Sequence, residues 1–259
     1  MMNLIKAELF KVKKEKNLLF MVLGLIGILS LALFKLNNQT TVIGIRNILN
    51  TNSVNFSVGS NILIEILKSA DILVLIFLPI IISTFMTDFS IGTVKNNVIS
   101  GYSRSKIYIS KLIVSSMICI FLVLVYSLVS FLILTLINGY DGNLTIKLIL
   151  NTIKVISIQT PLYIAIISTT FMVGSITRSK SIVISIYLLY QVLVCMIVHL
   201  FQNLSLNIIR YEPISNLDKA AHIGTNTFSN NITFILMGLI IIIISSTIGI
   251  LRINKMDIK

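Results

Sequence analysis

The sequence predicts an all-α, polytopic membrane protein with six transmembrane helices, an N-terminal interfacial helix and a short cytoplasmic helix between spans 2 and 3. Two observations predict this class. Of the 259 residues, 56% are hydrophobic and 12% are charged, against about 25% charged residues in a soluble domain. The charges are bunched into short segments, and the apolar runs between them have the roughly 20 residues that a helix needs to cross a bilayer.

The first predicted element is a short helix before the first span. Its apolar residues share one helical face, and lysines occupy the rest; the apolar residues are Leu4, Ile5, Leu9 and Val12. This pattern predicts an amphipathic helix that lies along the membrane surface, with a merely basic flanking tail as the alternative. We expect no signal peptide, because no small-residue cleavage pattern follows the next apolar stretch.

Six apolar segments then follow, and we expect the whole chain, 1–259, to form a single transmembrane domain. The predicted spans cover about residues 18–36, 62–87, 112–137, 155–174, 182–202 and 232–251. The segments are continuously apolar, whereas the strands of a membrane barrel alternate apolar and polar residues. Helices are therefore expected, since they satisfy every backbone polar group within one segment.

The basic residues predict the orientation of these spans. Of the 21 Lys and Arg residues, 14 fall in the N-terminal segment, the loops after spans 2 and 4, and the C-terminal segment. Because cytoplasmic loops carry the excess of Lys and Arg, both termini are expected in the cytoplasm. The net charge of +12 then indicates topology and contact with anionic lipid, and no nucleic-acid partner is expected. The Ile-, Asn- and Lys-rich composition without Trp favours a bacterial plasma membrane.

The most informative segment is the loop between spans 2 and 3, residues 87–111. Apolar residues at helical spacing predict a short helix there, and Gly101 is placed to end it because glycine tolerates a left-handed cap. Ser103 could then cap the next helix. The helix-forming apolar residues are Ile91, Val94, Val98 and Ile99.

This loop resembles the coupling segment of ABC-2 type ABC-transporter permeases, which docks on the ATPase subunit. The matching pattern is an acidic residue, Gly-Thr-x-Lys, a short apolar helix, a turn, and Ser-Arg before a span. Its residues here are Asp88, Gly92, Thr93, Lys95, Val98, Gly101, Ser103, Arg104 and Lys106, with Lys111 entering the span. Members often have Glu where this chain has Asp88, and proline where it has Gly101. Pro213, after Glu212, is a weaker second match.

The resemblance implies a permease that works with separate subunits. No phosphate-binding G-x-x-x-x-G-K-[ST] motif is present, so the chain is expected to have no catalytic residues and no cofactor of its own. ATP and Mg would bind to two copies of a partner ATPase, and a second permease subunit would complete a homodimer or heterodimer. The size resembles permeases that export, or give immunity to, antimicrobial peptides such as lantibiotics or bacitracin.

A few polar residues are predicted to lie inside the spans: Gln159, Thr160 and Gln191. They would either form hydrogen bonds between helices or line a translocation path. No metal site is expected. Two other functions remain open: an ion-coupled carrier, which the lack of a midplane carboxylate disfavours, and a membrane accessory or signalling protein that transports nothing.

Overall fold

A computed structural model describes residues 1–14, 24, 66–68, 73–88, 93–138, 146–200, 212–221 and 228–255. Within these ranges the regular structure is helical and contains no strand, which confirms the predicted all-α class. The helices are α1 (Met2–Lys14), α2 (Leu73–Ile81), α3 (Thr93–Ile99), α4 (Arg104–Asn138), α5 (Ile146–Thr177), α6 (Lys180–Leu200), α7 (Pro213–Ala221) and α8 (Phe228–Asn254).

Three stretches of helix are long and apolar enough, by length and composition, to cross a membrane. They are Arg104–Leu132, Ile149–Thr177 and Asn231–Asn254, and they overlap the predicted spans 3, 4 and 6. The shorter apolar helices Leu73–Met86 and Lys180–Val194 fall in predicted spans 2 and 5. The predicted first span lies outside the described residues except for Gly24.

Helices α5 and α8 form the largest interface in the described fold. They approach closely at Gly238, where an added Cβ would come within 2.8 Å of the Pro161 backbone carbonyl carbon. Ser245 of α8 also donates a hydrogen bond to Ser168 of α5, at 2.7 Å. A small residue and a hydroxyl pair therefore hold α8 on α5, while most of α8 faces outward with exposed isoleucines.

Proline and a π-helical turn interrupt the helix of predicted span 2. Pro79 lies inside α2, and Ile82–Met86 follows as a π-helix that the Thr87 amide closes by donating to the Ile82 carbonyl. Proline lacks the amide that an α-helix needs, and π-helical turns free backbone groups for other partners. This turn brings Phe85 against Tyr108 of α4 and Phe171 of α5, with ring centroids 5.7 and 4.4 Å away.

The helix bundle has one end that is rich in basic residues, which we call the basic end. It contains α1, the π-helical turn, α3, the starts of α4 and α6, and the ends of α5 and α8. Its basic residues include Lys106, Arg178, Lys180, Arg252 and Lys255. The opposite end contains α7, which packs against α5.

Candidate functional site

Four charged residues meet at the basic end, with Lys111 of α4 at their centre. The Lys111 Nζ donates to Glu8 Oε1 of α1 at 2.6 Å, to the Thr84 carbonyl at 3.0 Å, and to Asp88 Oδ2. An ammonium group has three donors, so these three acceptors satisfy it. The Lys111 side chain is only 1% exposed, which makes this one of the most buried charges in the described fold.

Asp88 accepts from two lysines, one on each side. Its Oδ1 receives Lys11 Nζ of α1, and its Oδ2 receives Lys111 Nζ of α4. The Lys11 side chain is 34% exposed, so the cluster touches the surface there. With two carboxylates and two ammonium groups, the cluster of Glu8, Lys11, Asp88 and Lys111, hereafter the four-charge cluster, is electrically neutral.

Local structure explains why these residues meet. Glu8 lies between Leu4 and Val12 at spacings of four residues, so it belongs to the stripe of α1 that is buried in the protein. The π-helical turn presents the Thr84 carbonyl to Lys111, and the Thr84 hydroxyl also pairs with Ser115 of α4 at 2.8 Å. Two contacts therefore join the π-helical turn to α4: a neutral one at Ser115 and a charged one at Lys111, which lies one helical turn earlier in α4.

The apolar face of α1 differs from its prediction in what it contacts. Leu4 and Val12 are buried, and Ile5 and Leu9 pack against the protein core. The face predicted to meet lipid thus packs against α4 and the π-helical turn. Glu8 lies on the same face and binds Lys111 of α4, which adds an ionic contact to the apolar ones.

A second contact at the basic end joins the start of α4 to the end of α8. Arg104 Nη1 donates to the Asn254 carbonyl at 3.0 Å, and Ser105 Oγ donates to Asn254 Oδ1 at 3.2 Å. Carbonyl groups in the last turn of a helix lack intrahelical partners, so Arg104 caps α8. Arg104 was predicted to contact an ATPase; in this structure it joins the start of α4 to the end of α8.

A short helix, α3, occupies the segment in which the coupling helix was predicted, and its end has the expected geometry. Gly101 has φ of 85°, and its amide donates to the Val98 carbonyl while the Tyr102 amide donates to the Asn97 carbonyl. These two bonds form a Schellman motif, which confirms the predicted helix end. The Ser103 carbonyl accepts from the Ile107 amide, so Ser103 lies at the N-cap position of α4.

The other predicted coupling residues are distributed around α3. Val98 is half-buried, and Ser103 and Lys106 are exposed. Gly92 and the side chains of Thr93 and Lys95 lie outside the described residues. The structure therefore brings Asp88 into the four-charge cluster and Arg104 onto α8, and places Lys106 at the surface.

The polar residues predicted inside the spans are mostly engaged by the protein. Gln159 is fully buried, and its Nε2 donates to the Leu67 and Leu217 carbonyls at 3.0 and 2.9 Å. The Thr160 hydroxyl donates to the Ile156 carbonyl of its own helix. Gln191 is buried on α6. For Gln159 this geometry favours the interhelical hydrogen bond, one of the two predicted roles.

Sequence reasoning missed Glu8, Lys11 and Thr84 as members of the cluster, and it missed α7. Glu212 accepts from the Ile214 and Ser215 amides at 2.9 and 2.5 Å and from the Tyr190 hydroxyl at 2.7 Å. A carboxylate at a helix start followed by proline at the first position is a strong helix signal, and it was present in the sequence.

The fold and this cluster define a helical protein with three helices long and apolar enough to cross a membrane, and with a buried ionic junction at one end of the described structure. Residues 24–259 match the family described as "Protein of unknown function (DUF2705)", and the chain belongs to this family. The match includes Asp88 and Lys111, and α1 precedes it. No curated protein matches the chain.

Proposed function

We propose that the chain is the membrane-spanning subunit of an ATP-driven ABC exporter in a bacterial plasma membrane. In this proposal six spans place both termini and the basic end in the cytoplasm. A second permease subunit pairs with the chain, and two ATPase subunits supply ATP hydrolysis. The exported compound would be an antimicrobial peptide or another amphipathic molecule, an expectation that rests on the family resemblance alone.

The observation that carries the proposal is α3. It is a seven-residue helix between two apolar helices at the basic end, and Gly101 closes it. Its terminal Ile99 is 79% exposed, which gives a partner an apolar side chain to bury. Val94, on the other side of α3, is buried, so movement of the helix would be transmitted into the protein.

Two features support an ATP-driven exporter over an ion-coupled carrier. The helices α4, α5, α6 and α8 contain no Asp or Glu, whereas carriers driven by protons or sodium use carboxylates within the membrane. The buried carboxylates Glu8 and Asp88 lie at the basic end and are engaged with lysines. The remaining alternative is an accessory protein that transports nothing. Binding of an ATPase would distinguish an exporter from such an accessory protein.

The test is association with an ATPase. The chain is purified in mild detergent with the ATPase that accompanies it, and binding and ATP hydrolysis are measured after reconstitution. We expect Ile99→Asp to weaken binding about tenfold, because a central apolar contact at an interface is worth about 1–2 kcal/mol. The ATPase activity that depends on the permease should fall with it.

Ile146→Asp is the matched control. Ile146 begins α5 at the opposite end and is 78% exposed, so both substitutions change the same residue type at equal exposure. If the two variants bind the ATPase equally well, α3 is not the docking element. If no ATPase accompanies the chain and ion gradients alone drive uptake or export, the carrier class replaces the exporter.

A further inference from the structure

The four-charge cluster divides into two neutral pairs along the boundary between α1 and the rest of the protein. Glu8 and Lys11 both belong to α1, whereas Asp88 and Lys111 belong to the helices that α1 covers. Each side contributes one carboxylate and one ammonium group. Departure of α1 would therefore leave no net charge on either side.

Each pair can also satisfy itself once α1 has left. Asp88 and Lys111 are already in contact, and the Thr84 carbonyl remains available to Lys111. Glu8 and Lys11 are three residues apart on one helix, a spacing at which oppositely charged side chains pair. An ordinary buried ion pair split by a movement leaves two uncompensated charges, whereas this cluster exchanges partners.

In the docked state, one buried carboxylate oxygen lacks a hydrogen-bond donor among the described residues. Glu8 Oε2 is buried and has no hydrogen-bond donor within the described part of the chain. A buried carboxylate oxygen without a donor is destabilising, and water would satisfy it when α1 leaves. This oxygen therefore favours release and opposes the apolar contacts of Leu4 and Val12.

The surface of α1 allows it to remain folded and bound to the membrane after release. Lys6, Lys13 and Lys14 are exposed around Phe10, and the Lys14 Nζ lies 4.7 Å from the Phe10 ring centroid. Apart from Glu8, the stripe that leaves the protein is apolar, so lipid can replace the protein contacts while lysines meet anionic headgroups.

We propose that α1 is a detachable arm that alternates between a docked state, in which it covers the Asp88–Lys111 pair, and a released state, in which the Asp88–Lys111 pair persists and Glu8 pairs with Lys11 instead. Release exposes the junction between the π-helical turn and α4 close to the start of α3. The arm therefore regulates which surface the basic end presents. This inference does not depend on the transport function.

The test measures maleimide modification of single cysteines in the full-length protein, with Cys119 and Cys195 replaced by alanine. The protein is held in nanodiscs of zwitterionic lipid, which lack the anionic headgroups that would hold the lysine-rich released arm on the membrane. Val12→Cys reports on the arm, and Val114→Cys reports on α4; both positions are buried. For a detachable arm we expect Val12→Cys to react at least about tenfold faster than Val114→Cys. Equal, slow reaction at both positions would show that α1 does not leave.

A charge exchange within α1 tests whether the four-charge cluster holds the arm. The double substitution Glu8→Lys/Lys11→Glu keeps the net charge of α1 and its internal pair, but it places like charges against Asp88 and Lys111. We expect about a further tenfold rise in modification of Val12→Cys and no change at Val114→Cys. Lys13→Glu, which alters an exposed lysine of the same helix, should change neither rate.

Two results would overturn the proposal. If the charge exchange leaves Val12→Cys protected, the ion pairs do not control docking. If Val114→Cys becomes reactive together with Val12→Cys, the rest of the protein opens with α1, and α1 is an integral part of the core.

Discussion

At the scale of single residues, Lys111 is the most constrained charge in the described structure. Lysine is almost never fully buried unless it is paired, and here three acceptors surround its ammonium group. Removing one partner from a buried ion pair costs about 3–5 kcal/mol, since the remaining charges lose their compensation. Lys111 compensates two carboxylates at once, so its removal affects both α1 and the π-helical turn.

We predict that Lys111→Met destabilises the protein by about 3–5 kcal/mol, measured as the free energy of unfolding in detergent. Lys106→Met, an exposed lysine on the same helix, should change it by less than about 0.5 kcal/mol. The double variant Asp88→Asn/Lys111→Met should lose less than the two single variants together, because contacting residues couple. Equal effects of Lys111→Met and Lys106→Met would contradict the buried role.

Individual site residues were predictable where the signal was local. The Gly101 turn followed from glycine's tolerance of positive φ, whereas the four-charge cluster joins residues 103 and 77 positions apart, and no local pattern encodes such pairing. One signal for Glu8 was available: it is the acid in a stripe that continues through Leu4 and Val12. A charge within an apolar stripe indicates a buried partner.

At the scale of elements, the end of α3 depends on backbone conformation more than on packing. A Cβ at Gly101 would have no neighbour within 4 Å, but φ there is 85°, a region that other L-residues adopt at a cost of about 1–2 kcal/mol. The Schellman motif thus fixes where α3 stops and how the chain enters α4.

Gly101→Ala should therefore destabilise the α3–α4 turn by about 1 kcal/mol, with faster amide hydrogen exchange at Tyr102 as the readout. Gly101→Asn should recover part of the loss, because asparagine tolerates the left-handed conformation better than alanine. If alanine and asparagine behave alike, the turn does not hold its conformation in solution.

Helix existence was the most predictable property of the elements, and helix interruptions were the least. Long apolar runs predicted α4, α5, α6 and α8, although α4 and α5 each begin eight or nine residues before the predicted spans. The residues that precede those spans in the two helices include Lys106 and Asn151, which an apolar pattern excludes. Pro79 indicates a break in span 2. The π-helical turn that follows it contacts Lys111 and Ser115 through Thr84, and both partners are distant in sequence.

At the scale of the whole molecule, the two ends of the bundle differ in charge and in how they are joined. Ionic contacts and an arginine cap connect the helices at the basic end. At the opposite end, Gln159 donates to the Leu67 and Leu217 carbonyls, and the Tyr190 hydroxyl of α6 donates to Glu212. The positive-inside rule assigns the basic end to the cytoplasm in our proposal.

Cysteine accessibility in intact bacteria tests that orientation. In the background without Cys119 and Cys195, a membrane-impermeant maleimide should modify Ile146→Cys from outside and should reach Lys255→Cys only after permeabilisation. Both positions are exposed, so access to the compartment is the variable. The reverse pattern would place the basic end outside and remove α3 from any cytoplasmic ATPase.

The neutrality of each half of the four-charge cluster affects which sequence changes a relative of this protein could tolerate. The family match begins at residue 24, between α1 and the Asp88–Lys111 pair. A relative that lost Glu8 and Lys11 together would keep a balanced interior without a second change, whereas loss of either one alone would require compensation across the contact. The N-terminal helix and the bundle can therefore diverge as separate modules, each retaining its own pair of opposite charges.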